Sequence, residues 1–166
     1  YGINALIKFF FNIFWKMIKI RKQAILTSHY SVSMLHHIVV DTYISDSVIG
    51  YFAASGYSVG EVESVLKNYW SAIFSRMPHV LEEPEKYYVT KTIGIHSLNG
   101  LIPSLFMLFR AKLKKIPTVD EFNKILPSDI FTESFWAVGS EGAGSYGGGK
   151  AAFKTLTKEL HRQLLD

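Results

Sequence analysis

The sequence predicts a mainly α-helical single domain with at most a minor β element. Apolar residues make up 48% of the chain and charged residues 19%, a balance typical of a globular core and not of a disordered segment. Over residues 62–74, apolar side chains recur at the spacing of one helix face. Helix-start motifs at Ser58 and Thr118 agree with this prediction. We therefore predict one helical domain over residues 1–166. We expect it to be the C-terminal part of a longer protein, because the chain begins at Tyr1 and not at Met.

Two helices are predicted before residue 50, over residues 4–22 and 31–43. In the first, Lys8, Lys19 and Lys22 gather on one side, opposite an apolar face. This basic face is a candidate for contacts with nucleic-acid phosphates. A solvated face over an ordinary core and a helix on a membrane surface are the alternatives. Lysines interrupt the apolar residues too often for a spanning helix, which needs about 20 mostly apolar residues, so we predict no membrane partner.

The third predicted helix has the clearest start. Ser58 and Glu61 have the spacing of a capping box, in which the two side chains satisfy backbone N–H groups of the first turn. Apolar residues follow at helical spacing, and Pro78 is predicted to end the helix. Residues 82–85 are then predicted to form a polar turn. Residues 87–90 are aromatic and β-branched, which predicts a short strand or an extended segment.

Three further helices and a glycine-rich loop complete the predicted order. Residues 93–114 are predicted to be helical, with Pro103 as a kink or a break. Thr118 and Glu121 form a second capping box, which predicts a short helix after it. A loop over residues 139–149 then leads into a last helix over residues 150–165.

The glycine-rich loop matches two nucleotide-binding motifs, but its context fits neither. Residues 142–147 (GAGSYG) match the dinucleotide fingerprint, which needs a βαβ unit and an acidic residue about 20 positions further on. Residues 144–150 match the P-loop through their glycine and lysine. Ala151, however, stands where Mg²⁺ needs a hydroxyl, and no buried parallel strand is predicted before the loop. We therefore predict no nucleoside triphosphate site.

Two interpretations of the loop remain open. It is either a series of tight turns or a surface cradle for an anion such as a phosphodiester. The cradle would combine backbone N–H groups, hydroxyl donors and one positive charge at a helix N-terminus. Its predicted members are Gly144, Ser145, Tyr146, Gly149 and Lys150.

The sequence offers no complete catalytic constellation. It has no cysteine, which excludes a disulfide and a thiolate metal site and fits a cytoplasmic location. His36 and His37 are adjacent and so face different directions on a helix, and the other histidines lack metal-ligand spacing. We predict no catalytic residue, no metal ion and no cofactor. Enzyme activity stays open, with a non-enzymatic role favoured for this chain alone.

Three segments carry a resemblance to a known family. They are residues 65–73 (VLKNYWSAI), residues 88–98 (YVTKTIGIHSL), and the pair at 135–136 with the glycines and lysine of 142–150. In order and spacing they resemble the C-terminal half of DGQHR-domain proteins, a bacterial group related to the B component of DNA phosphorothioation systems. The resemblance covers residues 62–165. The Asp-Gly-Gln-His-Arg motif that names the family belongs to a preceding ParB-like region and is absent from this sequence, so its activity is not carried over.

The resemblance implies a role in bacterial DNA modification or defence, often a regulatory one. We expect a non-enzymatic accessory or regulatory module associated with nucleic acid. Its expected partners are DNA and the N-terminal region of the same protein. The alternative is a structural or oligomerisation domain without a ligand, whose partner is a second copy of the chain. The salt dependence of binding distinguishes the two functions, because phosphate binding weakens steeply with ionic strength and apolar association does not.

Overall fold

The computed structural model describes residue 52, residues 55–112 and residues 116–165. Five α-helices lie wholly within these residues, and they are α1 (Val59–Arg76), α2 (Thr92–Lys112), α3 (Val119–Ile125), α4 (Glu133–Trp136) and α5 (Lys150–Leu165). Short 3₁₀ turns lie between them, at Pro78–Leu81, Pro84–Lys86, Tyr88–Thr90 and Ala143–Tyr146. No strand occurs in this described part, which has one isolated bridge between Tyr87 and Ala137. The prediction of a mainly α-helical fold is confirmed for these residues.

The two helices predicted before residue 50 lie outside the described residues. The basic face of Lys8, Lys19 and Lys22 lies outside them as well. That face stays a prediction.

Both predicted capping boxes are present. At the start of α1, the Ser58 hydroxyl oxygen accepts the N–H of Glu61 at 3.3 Å, and the Glu61 carboxylate accepts the N–H of Ser58 at 2.7 Å. At the start of α3, Thr118 and Glu121 exchange the same two hydrogen bonds, at 3.3 Å and 2.8 Å. Helix α1 ends before Pro78, as predicted. The sequence predicts where these helices start and where α1 ends, because each hydrogen bond or steric clash involves residues that are close in sequence.

Helix α2 runs through the centre of the core. Ile95, Leu98, Ile102 and Leu105 on this helix are almost completely buried. Pro103 lies inside α2, which continues beyond it, so the helix has no break there. By length and composition, Thr92–Phe109 is apolar enough to cross a membrane. This is weak evidence, because 61% of that stretch is buried within the fold, as in a core helix.

Buried polar contacts fix α1 against α2. The Tyr69 hydroxyl donates to the carbonyl oxygen of Leu98 at 2.7 Å, and the Trp70 indole N–H donates to the Asn99 side-chain oxygen at 3.2 Å. Because buried donors need partners, these bonds specify how the two helices face each other.

Close packing also joins α2 to α5. A Cβ added at Gly100 would lie 2.9 Å from the Thr157 Cγ2 atom, so the absence of a side chain lets the helices approach. The Ser97 hydroxyl donates to the carbonyl oxygen of Phe153 at 3.2 Å across the same interface. This contact positions the first turn of α5 beside the first turns of α2.

The prediction for residues 87–90 is wrong. They form neither a strand nor an extended segment, because Tyr88–Thr90 is a 3₁₀ turn and Tyr87 alone takes part in a bridge. The Thr90 hydroxyl donates to the carbonyl oxygens of Pro84 at 2.7 Å and Tyr87 at 3.0 Å. These local bonds hold the turn, although the residue types favour a strand.

A candidate anion-binding cleft

A cleft of about 550 Å³ opens where the Tyr88–Thr90 turn, the start of α2 and the glycine-rich loop meet. Its lining combines a lysine, two aromatic rings, apolar groups and bare backbone. The lining residues are Tyr88, Lys91, Thr92, Ile93, Gly144, Gly147, Gly148 and Phe153. Pockets of roughly 300–1,000 Å³ hold small ligands, so the cleft is large enough for one.

Two glycines bring the walls of the cleft together. A Cβ at Gly144 would lie 2.6 Å from the Tyr88 Cε2 atom, so the loop can contact the ring edge only through a residue without a side chain. A Cβ at Gly94 would lie 2.3 Å from the Tyr88 carbonyl oxygen and 2.5 Å from the Val89 Cα atom. The first turn of α2 therefore rests directly on the backbone of the 3₁₀ turn. Real Cβ atoms essentially never come so close to other atoms.

The loop then reverses direction into α5. Gly147 and Gly149 have φ of 73° and 97°, in the left-handed region that favours glycine. Between them, exposed Gly148 lines the cleft together with Gly147. The carbonyl oxygen of Gly149 accepts the N–H of Phe153 at 3.1 Å, which makes Gly149 the N-cap residue of α5.

The start of α2 lies on the other side of the cleft, and its N-cap residue also lies there. The carbonyl oxygen of Lys91 accepts the N–H of Ile95 at 3.0 Å, so Lys91 is the N-cap residue of α2. Its ammonium nitrogen lies 5.0 Å from the centroid of the Tyr88 ring, within the range of a cation–π contact. Lys91 thus places a positive charge beside an aromatic wall of the cleft.

Neither N-cap residue at the cleft can cap its helix through its side chain. A lysine ammonium has no acceptor, and a glycine has no side chain, so neither can accept a backbone N–H. No acidic residue lies in the first turn of α2 or α5. By contrast, α1, α3 and α4 each have a Ser or Thr side chain as acceptor and at least one acidic residue in the first turn. The two helix N-termini at the cleft therefore lack the side-chain acceptor and the negative charge that the other three helices have at their N-termini.

Some predicted members of the anion cradle lie at the cleft, and the others are bonded or packed within the fold. Gly144 lines the cleft, and Gly149 and Lys150 directly follow the lining glycines at the start of α5. Ser145 does not line it, because its hydroxyl donates to the carbonyl oxygen of Gly142 at 2.7 Å within the 3₁₀ turn. Tyr146 packs partly buried against the core, and burial, followed by the nearby Glu159 carboxylate, raises the pKa of its hydroxyl.

Sequence reasoning missed the wall opposite the loop. Tyr88 was expected in a short strand or extended segment, Lys91 was noted only within the family resemblance, and Phe153 was expected to be an ordinary helix residue. One local signal was available for Lys91, since it precedes a helix that has no acidic residue in its first turn. No local pattern could show that this helix start meets the glycine loop.

Phe153 lines the cleft from α5. Its ring stacks on the ring of His96, with 5.1 Å between centroids and 19° between planes. The stack fixes the orientation of Phe153, which is partly buried against the core. Both aromatic rings at the cleft are therefore held by other parts of the fold, since Tyr88 lies against Gly144.

The surroundings of the cleft do not match a P-loop or a metal site. Where a P-loop has a buried strand, the chain forms the single helical turn of α4. Among the residues that the structure describes, no group of three His, Asp or Glu side chains is placed to hold a metal ion. The cleft combines two helix N-termini, a lysine and aromatic walls, and this combination suits binding of an anion more directly than it suits bond cleavage.

No protein-family model, curated protein or solved structure matches the chain.

Proposed function

We propose that the chain is a non-enzymatic accessory or regulatory module that associates with nucleic acid, and that the cleft binds a backbone phosphate. One observation carries the proposal. The first turn of α2 lines the cleft beside the ammonium group of Lys91, and α5 begins two residues after the lining Gly148. Neither helix has an acidic residue in its first turn or an N-cap side chain that can accept an N–H.

The physical argument starts from the orphan donors. The first N–H groups of a helix have no partner within the helix, and the helix dipole adds about half a positive charge at that end. An anion at such an end gains roughly 0.3–1 kcal/mol from the dipole alone. The two ends and Lys91 together favour a negative group, and Gly147 and Gly148 let it approach the backbone without Cβ atoms in the way.

Nucleic acid is the proposed source of that anion for two reasons. The chain carries a formal net charge of +4, so a polyanion is attracted at long range. The three segments that resemble DGQHR-domain proteins also include both sides of the cleft, namely residues 88–98 and the loop before α5. On this basis we place the module in a bacterial, cytoplasmic DNA-modification or defence protein, with DNA as its partner.

The salt dependence of binding tests the proposal. We expect the intact chain to bind a short oligonucleotide with an affinity that falls as salt rises. Lys91→Gln should reduce the slope of log Kd against log salt by about 0.7–0.9, the amount for one lost phosphate contact. Lys67→Gln is the matched control, because Lys67 is an exposed lysine on α1 that does not line the cleft. An equal effect of both substitutions would assign the slope to general charge and not to the cleft.

The basic face of residues 4–22 is a competing site for the same ligand. Replacing Lys8, Lys19 and Lys22 together with Gln should reduce the slope by about 3 if that face binds phosphates. If this triple variant removes binding while Lys91→Gln has no effect, the nucleic-acid site lies in the N-terminal segment and the cleft is not part of it.

The second candidate function is oligomerisation without a ligand, and Met107 favours it. Its apolar side chain is 60% exposed on the part of α2 that follows Pro103. Sedimentation velocity over a range of protein concentrations separates the two candidates. A concentration-dependent dimer that dissociates on Met107→Lys, together with no binding of any oligonucleotide, supports the oligomerisation domain and rejects the nucleic-acid module.

A further inference from the structure

We infer that the cleft takes an unpaired nucleotide, so that the module binds single-stranded nucleic acid in preference to duplex. This inference rests on the proposed function, since it names the form of nucleic acid that the same cleft accepts. It adds the aromatic walls, Tyr88 and Phe153, to the phosphate contacts already described.

The shape of the cleft is the first argument. At about 550 Å³ it matches the size of a small-ligand pocket. A duplex keeps its bases stacked inside and presents phosphates to a protein surface, so its bases cannot stack on the aromatic rings that line the cleft. An unpaired base can leave its neighbours and enter.

The chemistry of the walls is the second argument. Single-strand binding sites combine a positive charge for the phosphate with aromatic rings on which bases stack. The cleft has both within one volume, since the Lys91 ammonium nitrogen lies 5.0 Å from the centroid of the Tyr88 ring and Phe153 lines the same space. A nucleotide likewise has its phosphate and its base a short distance apart.

The fixed orientation of the rings is the third argument. Phe153 is held by its stack with His96, and Tyr88 by the close approach of Gly144. Rings that are held before binding lose little side-chain freedom when a base stacks on them, which lowers the entropic cost of association. Because stacking requires a planar face and not a particular base, we expect little sequence preference.

Fluorescence anisotropy with matched oligonucleotides tests the inference. An unstructured strand of about 12 nucleotides, within the usual range of single-strand site sizes, and the duplex formed with its complement are titrated with the intact chain at one salt concentration. We expect the strand to bind about ten times more tightly or better, the order of magnitude of one stacked base. Thymidine monophosphate as a competitor should displace the strand only at far higher concentration, because a single nucleotide lacks the neighbouring phosphates.

Variants then assign the preference to the rings. Phe153→Leu should weaken strand binding by about 5- to 100-fold, the range for loss of one stacking contact, and should change duplex binding by less than about twofold. Tyr88→Leu should act in the same way, and Tyr88→Phe should keep the preference because it keeps the ring. Phe74→Leu is the control, since Phe74 is a partly buried aromatic residue on α1 outside the cleft.

The outcomes separate this inference from the proposed function. Equal affinity for strand and duplex, or a strand preference that survives Phe153→Leu in a variant folded by circular dichroism, overturns the inference and leaves phosphate binding in place. Tight binding of the free monophosphate overturns it in favour of a mononucleotide site. If neither oligonucleotide binds, the inference and the proposed function both fail. If Tyr88→Leu does not fold, Phe153→Leu still gives the decisive comparison.

Discussion

Gly94 lets the first turn of α2 rest on the Tyr88–Thr90 turn beside the cleft, and its replacement gives the sharpest prediction. The Cβ of an alanine there would lie 2.3 Å from the Tyr88 carbonyl oxygen, 2.5 Å from the Val89 Cα atom and 2.6 Å from the Val89 carbonyl oxygen. All three atoms belong to the backbone, so no side-chain rotation relieves the contact. The first turn of α2 and the Tyr88–Thr90 turn must move apart.

The size of the effect follows from two opposing contributions. Alanine is favoured over glycine in a helix by up to about 1 kcal/mol. Overpacking a core typically costs about 1–3 kcal/mol and occasionally more. Because Gly94 is buried and its neighbours are backbone atoms, we place the steric cost at or above the upper end of that range. Gly94→Ala should therefore lower the free energy of unfolding by about 2 kcal/mol or more.

Gly60→Ala provides the matched control. Gly60 lies in the first turn of α1 and is exposed, and a Cβ added there would meet no atom within 4 Å beyond its chain neighbours and the helix's own backbone. The alanine gains helix propensity without a steric cost, so we expect no loss of stability and a gain of up to about 1 kcal/mol. Urea unfolding of both variants, followed by circular dichroism, measures the difference. If Gly94→Ala were as stable as Gly60→Ala, α2 would not rest on the 3₁₀ turn, and the described cleft would be wrong.

Three further predictions follow from other parts of the structure. Leu66→Ala should lower the free energy of unfolding in urea by about 2–5 kcal/mol, because Leu66 is 3% exposed; a loss below about 0.5 kcal/mol would contradict its burial. A hydrogen bond to Glu133, with its charge, raises the pKa of His79 above the ordinary 6.5, so this pair stabilises the fold below pH 6.5 and the contribution disappears as pH rises through the raised pKa. His79→Gln should flatten the dependence of the urea midpoint on pH across that interval, and an unchanged dependence would rule the pair out. Calorimetry should detect no Mg²⁺-dependent ATP or GTP binding at micromolar concentration, whereas binding that is lost on Lys150→Ala would reinstate a P-loop.

Sequence reasoning located α1, α2, α3 and α5 because their signals are local, and it did not predict the single turn of α4. The capping boxes at Ser58 and Thr118 join residues three positions apart, and Pro78 acts on its immediate neighbour. The turn at 88–90 was missed because residue type favours a strand there. The bond from Thr90 to Pro84, six positions back, outweighs that preference.

The candidate site was predictable only on one side. The glycines identified the loop, but some of them serve packing: a Cβ at Gly142 would lie 2.2 Å from the Phe135 carbonyl oxygen. Ser145 has the right chemistry for a donor, yet its hydroxyl is bonded within its own turn. Lys91 and Phe153 reach the loop through the contact of α2 with α5, which no short-range pattern in the sequence encodes.

Pro103 divides α2 into two parts that should open to solvent separately. Proline has no N–H, so the carbonyl of Asn99, four residues earlier, receives no hydrogen bond from position 103. The part before Pro103 carries the wall of the cleft and the bonds to Tyr69 and Trp70, and the part after it carries exposed Met107. Native-state hydrogen exchange should therefore show slow amides before Pro103 and faster ones beyond Phe109, which is itself buried. The cleft would then keep its shape while the far end of the same helix frays, so that events at that end need not disturb a bound ligand.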